Sequence, residues 1–326
     1  MHATPEAQAS LAEEVVSDAF ARLARLDLSG LLDGGLRSVP SVGYRMVARL
    51  AITPQGTLGY RPWHSSTPTE ITTCVVLRPD LEAARRSIRV QGRGEVVLRG
   101  DDEGRVVAVL DDTVVVDEAP EDVVLLRRPG DGPSPRLRLH IAGRWWSSRP
   151  ASFAQPSSAG AELLAETVAD LAGRPGRIVD AYAGIGVLGG VVAERTGASL
   201  VAVESDRGAA QDAVENLAGL GARVLPGRME RRWRALAGTP IDVVVADPPR
   251  AGLGASGAAA LGALGAGRIV LVGCEPAAHA RDVALLGDLG YRPITLRLLG
   301  LFPETHHVEV VTLLERRQPS FRGLAR

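Results

Sequence analysis

From Arg177 onward, short β-branched apolar runs alternate with segments of helix formers, and this rhythm restricts the fold more than any other feature of the chain. Arg177–Ala181, Ser199–Glu204, Val224–Pro226, Asp242–Asp247 and Arg268–Cys274 read as strands. Gly189–Glu194, Gly208–Leu220, Ala255–Leu264 and Ala277–Leu289 read as helices between them. Such alternation predicts a parallel sheet covered by helices on both faces. The end of the chain breaks the rhythm. Pro293–Leu299 and Val308–Glu315 are two strands with a short loop between them, so they pair antiparallel. Open α/β sheets keep their ligands at the carboxyl ends of the strands. Asp247 and Cys274 close adjacent parallel strands, and a reversed last strand starts at that same edge, which brings Glu309 there.

Upstream the pattern differs. Thr4-Pro5-Glu6 is a helix start, with Thr as cap and Pro at the first helical position. Leu11, Val15, Ala19, Phe20 and Leu23 follow at helical spacing. Strands are predicted at Met46–Ile52, Leu58–Arg61, Glu70–Leu77, Val96–Leu98, Val106–Leu110, Thr113–Val116, Val123–Leu126 and Leu137–Ile141, with a short helix at Leu81–Ile88. Residues 1–147 therefore read as a mixed α+β, mostly antiparallel domain, and 148–326, after Trp145-Trp146 and a Ser/Pro stretch, as the α/β domain.

Composition narrows the function classes. The chain has 326 residues and a net charge of −1, without the strongly basic balance of a protein that coats nucleic acid. All 37 basic residues are Arg; codon bias accounts for the count, and only placement bears on phosphate binding. No apolar run approaches the roughly 18 residues of a membrane span, and the N-terminus lacks the pattern of a signal peptide. Two Cys far apart, Cys74 and Cys274, fit a reducing compartment, most simply the cytoplasm.

Ile178-Val179-Asp180 runs into Gly184-Ile185-Gly186-Val187-Leu188-Gly189, a strand followed by a G-x-G-x-x-G turn. Glu204 ends the next strand, where a carboxylate can bond ribose hydroxyls. Both features suit either a nicotinamide cofactor or S-adenosylmethionine. Asp180 favours the second, because its carboxylate would repel a pyrophosphate and suits the ammonium of a methionine moiety.

Three further segments carry a specific resemblance: Asp247-Pro-Pro-Arg250-Ala-Gly252; Cys274-Glu275-Pro276 with Ala280-Arg281-Asp282; and Phe302-Pro303-Glu304-Thr305-His306-His307-Val308-Glu309. Together they resemble the RNA 5-methyluridine methyltransferase family, whose enzymes methylate C5 of uridine in tRNA or rRNA with S-adenosylmethionine. Tyr44-Arg45, Gly59-Tyr60-Arg61 and Cys74 follow the order of that family's central domain, and Phe153-Ala154-Gln155 resembles its F-x-Q. The resemblance implies a class I methyltransferase sheet, Rossmann-like with an antiparallel last strand. It implies Cys274 as nucleophile and Glu309 as base. It implies a cofactor pocket of Gln155, Asp180, Tyr182, Gly184, Gly186, Glu204 and Asp247, and Arg250 on the nucleotide. RNA is the implied partner and a monomer the expected state. His306 and His307 have no companions at metal-ligand spacing, so no metal is expected.

The chain departs from the family at several points. Glu275 stands where Asn or Asp usually follows the nucleophile, and would raise the thiol pKa unless it points away. Val187, Arg228 and Gly300 also replace polar residues of relatives. Many relatives carry an RNA-binding TRAM barrel and a Cys-rich [4Fe–4S] segment upstream. Cys74 resembles one cluster ligand, and one thiol cannot hold a cluster, so no iron–sulfur cluster is expected here. RNA is then expected to be gripped by Arg45, Arg49, Arg61 and His64, with Trp63 as a stacking surface. A catalytically weak RNA-binding relative and a small-molecule methyltransferase remain alternatives; the second would not need Cys274.

Overall fold

The computed structural model describes residues 4–127 and 135–317. The chain divides into two compact units, Met1–Ser38 with Leu164–Arg326, and Val39–Leu163.

The first unit is built on an eight-stranded sheet. Its strands are β1 (Arg37–Ser38), β2 (Arg177–Ala181), β3 (Ser199–Glu204), β4 (Arg223–Pro226), β5 (Val243–Ala246), β6 (Arg268–Gly273), β7 (Tyr291–Gly300) and β8 (Glu309–Arg316). Their spatial order is β1-β7-β8-β6-β5-β2-β3-β4. The run from β4 to β6 is parallel, and β8 enters antiparallel to both β6 and β7, as the short connection between the last two strands requires. Fully buried positions on β5 and β6 carry almost only Val, Ile, Leu and Ala, as a strand covered on both faces demands. The helices of this unit include α1 (Pro5–Leu23), the end of α2 (Ser158–Ala172), α3 (Val187–Thr196), α4 (Arg207–Leu217), α5 (Gly254–Leu264) and α6 (Pro276–Asp288).

The leading helix corrects two expectations. The 1–147 boundary does not match the compact units, because α1 packs on α6 and its Val16, Ala19 and Phe20 enter the same core as Val283, Leu286 and Tyr291. Following α1, β1 pairs in parallel with the end of β7. The apolar stripe read in sequence is also only partly covered: Ala19 and Phe20 are buried, whereas Leu11 and Val15 are 55% and 51% exposed.

The second unit holds a five-stranded sheet ordered Leu58–Gly59, Val47–Ile52, Glu95–Gly100, Val106–Leu110, Val123–Arg127. All its pairs are antiparallel except the last, which is parallel. The helix Pro79–Ser87 buries Leu81 and Ala84 against it. The expected strand at Glu70–Leu77 is absent. Its backbone is bonded piecemeal instead: Cys74 N–H donates to Glu82 at 3.3 Å, buried Arg85 donates to the Thr72 carbonyl at 3.3 Å, and the carbonyls of Val75 and Val76 accept Gly43 and Arg45 N–H, both at 2.9 Å, with one isolated bridge between Leu77 and Arg45. Arg144–Ser148, unread as a strand in the sequence, pairs with Leu137–Ile141 and buries Trp146. Arg99 is buried and donates to the carbonyls of Pro150 and Ser152 (2.7 Å for the latter), fixing the segment that leads to Phe153-Ala-Gln155. Burial lowers its pKa to about 10.

Candidate active site

Register brings the reactive groups together. Gly273 of β6 lies opposite Val310 of β8, so the next residue, Cys274, continues toward Glu309. Ala246 of β5 pairs with Leu271 of β6, and Asp247 follows it off the strand end. Asp247, Cys274 and Glu309 thus cap three neighbouring strands at one edge. Cys274 is half-buried and Glu309 only 5% exposed.

Electrostatics bind the three into one group. Burial pushes the Cys274 thiol up, the carboxylates of Glu309 and Asp247 push it further, and the Arg250 guanidinium pulls it down. Glu309 is raised well above the usual carboxylate range, first by burial and then by Asp247, with Arg250 again opposing. Burial raises Asp247 to about 7. Glu275 takes no part in this. It is exposed at the N-cap of α6, and the carboxylates that act on Cys274 are remote in sequence. The loop Phe302–His307 before Glu309 is braced by aromatic rings, with His307 5.8 Å from Phe302 and 4.2 Å from His306.

The glycine turn lies at the ends of β2 and β3. Gly189 N–H donates to Asp180 Oδ2 at 2.8 Å, and a Cβ on Gly189 would lie 2.7 Å from that oxygen, so only Gly lets α3 sit this close. Gly186 has φ +95° at the N-cap of α3, a conformation costly for other residues. Asn216 of α4, which sequence reasoning missed, donates from Nδ2 to the Ile185 carbonyl at 2.9 Å and supports the turn from below.

Asp180 is 1% exposed, and its Oδ1 finds no hydrogen-bond partner among the described residues. Burial raises it to about 7, and the charges of Asp247 and Glu204 add to the rise. A cationic or hydrogen-donating group is what this arrangement lacks. Glu204 Oε1 accepts Asp206 N–H at 2.6 Å and the Ser205 hydroxyl at 3.3 Å, whereas Oε2 accepts only Gly184 N–H at 2.8 Å among the described residues and keeps a lone pair for a further donor. No heavy atom lies within 4 Å of where a Gly184 Cβ would be, so the turn faces open space. Tyr182, with φ +76°, donates its hydroxyl to Glu230 at 3.3 Å, and Arg228 pairs with the same Glu230 at 3.5 Å. Glu230, two residues beyond the unusual Arg228, is another group the sequence did not single out. At Gly300 a Cβ would run into the Ser38 side chain of β1, so the edge pairing favours Gly there.

Gln155 and the arginines read as RNA contacts belong to the other unit. Gln155 is half-buried. Arg45 Nε donates to the Val47 carbonyl at 2.9 Å. Arg49 and Arg61 converge on one carboxylate, Glu95, at 2.8 and 3.1 Å. Trp63 is 84% exposed and meets His64 edge-on. Cys74 Sγ lies 3.6 Å from the Tyr60 hydroxyl.

The crystal structure of Pyrococcus abyssi tRNA (uracil-54, C5)-methyltransferase, a complex with S-adenosyl-L-homocysteine, matches 96% of this chain and 84% of its own, with a TM-score of 0.72 at 23% identity. The shared sheet defines a class I methyltransferase fold. No family model matches the chain. An uncharacterized RNA methyltransferase of Streptomyces avermitilis is 31% identical over 99% of this chain and 80% of its own length. Another, from Streptomyces coelicolor, is 31% identical over 99% and 76%. The chain belongs to this family of RNA methyltransferases.

Proposed function

We propose that the protein transfers a methyl group from S-adenosylmethionine to C5 of a uridine in tRNA or rRNA, through a covalent bond between Cys274 and C6. The observation that carries this reading is the convergence of Cys274, Glu309 and Asp247 at the tips of adjacent strands. A methyltransferase acting directly on a strong nucleophile needs no thiol there. C5 of uracil does, because it becomes nucleophilic only after addition at C6.

The pocket of β2 and β3 fits the cofactor. The orphaned Asp180 Oδ1 suits its ammonium, Glu204 its ribose hydroxyls and the turn at Gly184 and Gly186 its close approach. Asp247 and Tyr182 complete the set within this unit. Bound there, S-adenosylmethionine supplies an electrophilic methyl carried on a sulfonium.

The chain's own groups do the rest. The Cys274 thiolate adds to C6, and the C5=C6 electrons pass to the carbonyl oxygen as an enolate. With the methyl on C5, the ionised Glu309 takes the C5 proton, the double bond re-forms and the thiolate leaves. A carboxylate with raised proton affinity is the stronger base once ionised. Arg250 beside Cys274 favours the thiolate against two carboxylates. In the other unit, Arg45, Arg49, Arg61 and Trp63 are the proposed grip on RNA.

RNA carrying 5-fluorouridine, incubated with protein and S-adenosylmethionine, tests the reading. Fluorine at C5 cannot be removed as a proton, so a protein–RNA adduct should accumulate, and Cys274→Ala should abolish it. Absence of adduct with both tRNA and rRNA would overturn the proposal.

A further inference from the structure

Helix α6 starts directly after Cys274-Glu275 and reaches back to the loop that carries Arg250. The link is a buried carboxylate, Asp282. Its Oδ2 accepts Leu253 N–H at 2.6 Å and its Oδ1 accepts Gly254 N–H at 3.1 Å. These amides end the loop opened by Asp247-Pro-Pro-Arg250 and begin α5. The loop is wrapped on the carboxylate: Gly252 N–H donates to the Pro249 carbonyl at 2.7 Å, Gly252 has φ +83°, and a Cβ there would collide with Asp282 Oδ2. A second buried side chain on α6, His279, is bonded to Thr312 of β8 at 2.7 Å, so the helix is also tied to the strand that carries Glu309. The helix is thus fixed at both ends of the reactive edge, and Asp282 sets where the loop, with Arg250, lies against it.

We infer that Asp282 is a positioning residue: by clamping the 248–254 loop to α6, it holds the Arg250 charge beside Cys274 and Glu309. It does not itself touch the reacting groups. The inference deepens the uridine-C5 reading, which gives the thiol its role, but its test does not depend on that reading.

The test is the pH dependence of Cys274 alkylation by iodoacetamide in the full chain without RNA or cofactor, followed on the Cys274 peptide by mass spectrometry. Arg250→Ala should raise the midpoint by about one pH unit, which lowers the thiolate fraction at neutral pH about tenfold. Asp282→Asn keeps the size but turns an NH₂ toward one of the two amides, and it should raise the midpoint to a similar extent. The double variant should shift by clearly less than the sum, as expected of residues acting through one another. Gly252→Ala disturbs the same clamp from the loop side and should reproduce the shift; it decides the matter alone if Asp282→Asn does not fold. A wild-type midpoint in folded Asp282→Asn or Gly252→Ala, where Arg250→Ala does shift, would reduce Asp282 to a structural cap. No shift in Arg250→Ala would overturn the inference outright. A missing fluorouridine adduct would instead remove the proposed reaction and leave these midpoints as measured.

Discussion

Glu309 is the residue whose replacement separates the two halves of the proposed reaction. Glu309→Gln keeps the side chain's shape and removes the base. Adduct formation and methyl transfer should proceed while release from Cys274 slows by about 10²–10⁴-fold. Ordinary uridine RNA should then accumulate as a methylated covalent complex, visible as a shifted band on a denaturing gel; free methylated RNA at the wild-type rate would sink the assignment. The pH profile follows from the same groups. Both the Cys274 thiol and the Glu309 carboxyl are raised, and both must be ionised to act. Single-turnover rate should therefore rise with pH through neutrality, without an acid optimum. Much of this edge was legible in the sequence, because a residue that ends a β-branched run must sit at a strand tip. The influence on the thiol was not. Glu275 is adjacent in sequence yet faces solvent from a helix N-cap, whereas Glu309 arrives by strand register. Asp282, Asn216 and Glu230 were also missed as supports, because each acts on groups brought close only by the fold.

Among the elements, α1 is the informative case. Its periodicity predicted a helix, and the helix is there, but of the stripe read in sequence only Ala19 and Phe20 are buried, joined by Val16, while Leu11, Val15 and Leu23 lie exposed. Apolar spacing defines a stripe; which neighbouring stripe is covered depends on α6, a partner the local sequence does not reveal. Phe20→Ala should cost about 3–5 kcal/mol, the range for truncating a buried Phe. The loss should register in the unfolding of the methyltransferase unit, read by denaturant titration; an unfolding midpoint unchanged from wild type would contradict this packing. The segment 70–77 failed in the opposite sense. Its residues favour a strand, but Glu82, Arg85 and scattered backbone bonds from Gly43 and Arg45 satisfy it without a continuous ladder. In the same unit, Arg49 and Arg61 share Glu95 in partly exposed ion pairs that add little to stability, and both are proposed RNA contacts. Arg49→Ala with Arg61→Ala should weaken RNA binding. The slope of log affinity against log salt should fall by about one for each phosphate that is no longer neutralised. An unaltered slope would move the grip elsewhere.

At the scale of the whole molecule, the reactive edge carries an intrinsic penalty. Asp180 and Asp247 are held at about 7 in the folded chain, against about 3.9 for an unfolded carboxyl. Because the folded pKa is the higher one, the folded state binds these protons more tightly. The resulting stabilisation is complete below about pH 4 and is lost as pH rises through about 7. Asp180→Asn should therefore lose less stability than wild type on going from about pH 5 to about pH 8, measured by urea denaturation at each pH, while its affinity for S-adenosylmethionine falls. A steeper loss in the variant would show that burial does not govern this carboxylate. The division into units has a different consequence, for the order in which the molecule forms. Val39–Leu163 is one continuous stretch, whereas the larger unit joins Met1–Ser38 to Leu164–Arg326. During synthesis at about 5–20 residues per second, Phe20 emerges on the order of ten seconds or more before α6 exists to receive it. The inserted unit has all its partners by then. A ribosome-bound chain halted before α6 should hold a protease-resistant insert with α1 still open to cleavage, and since β8 follows α6 in the chain, Glu309 reaches Cys274 only after α1 has been covered.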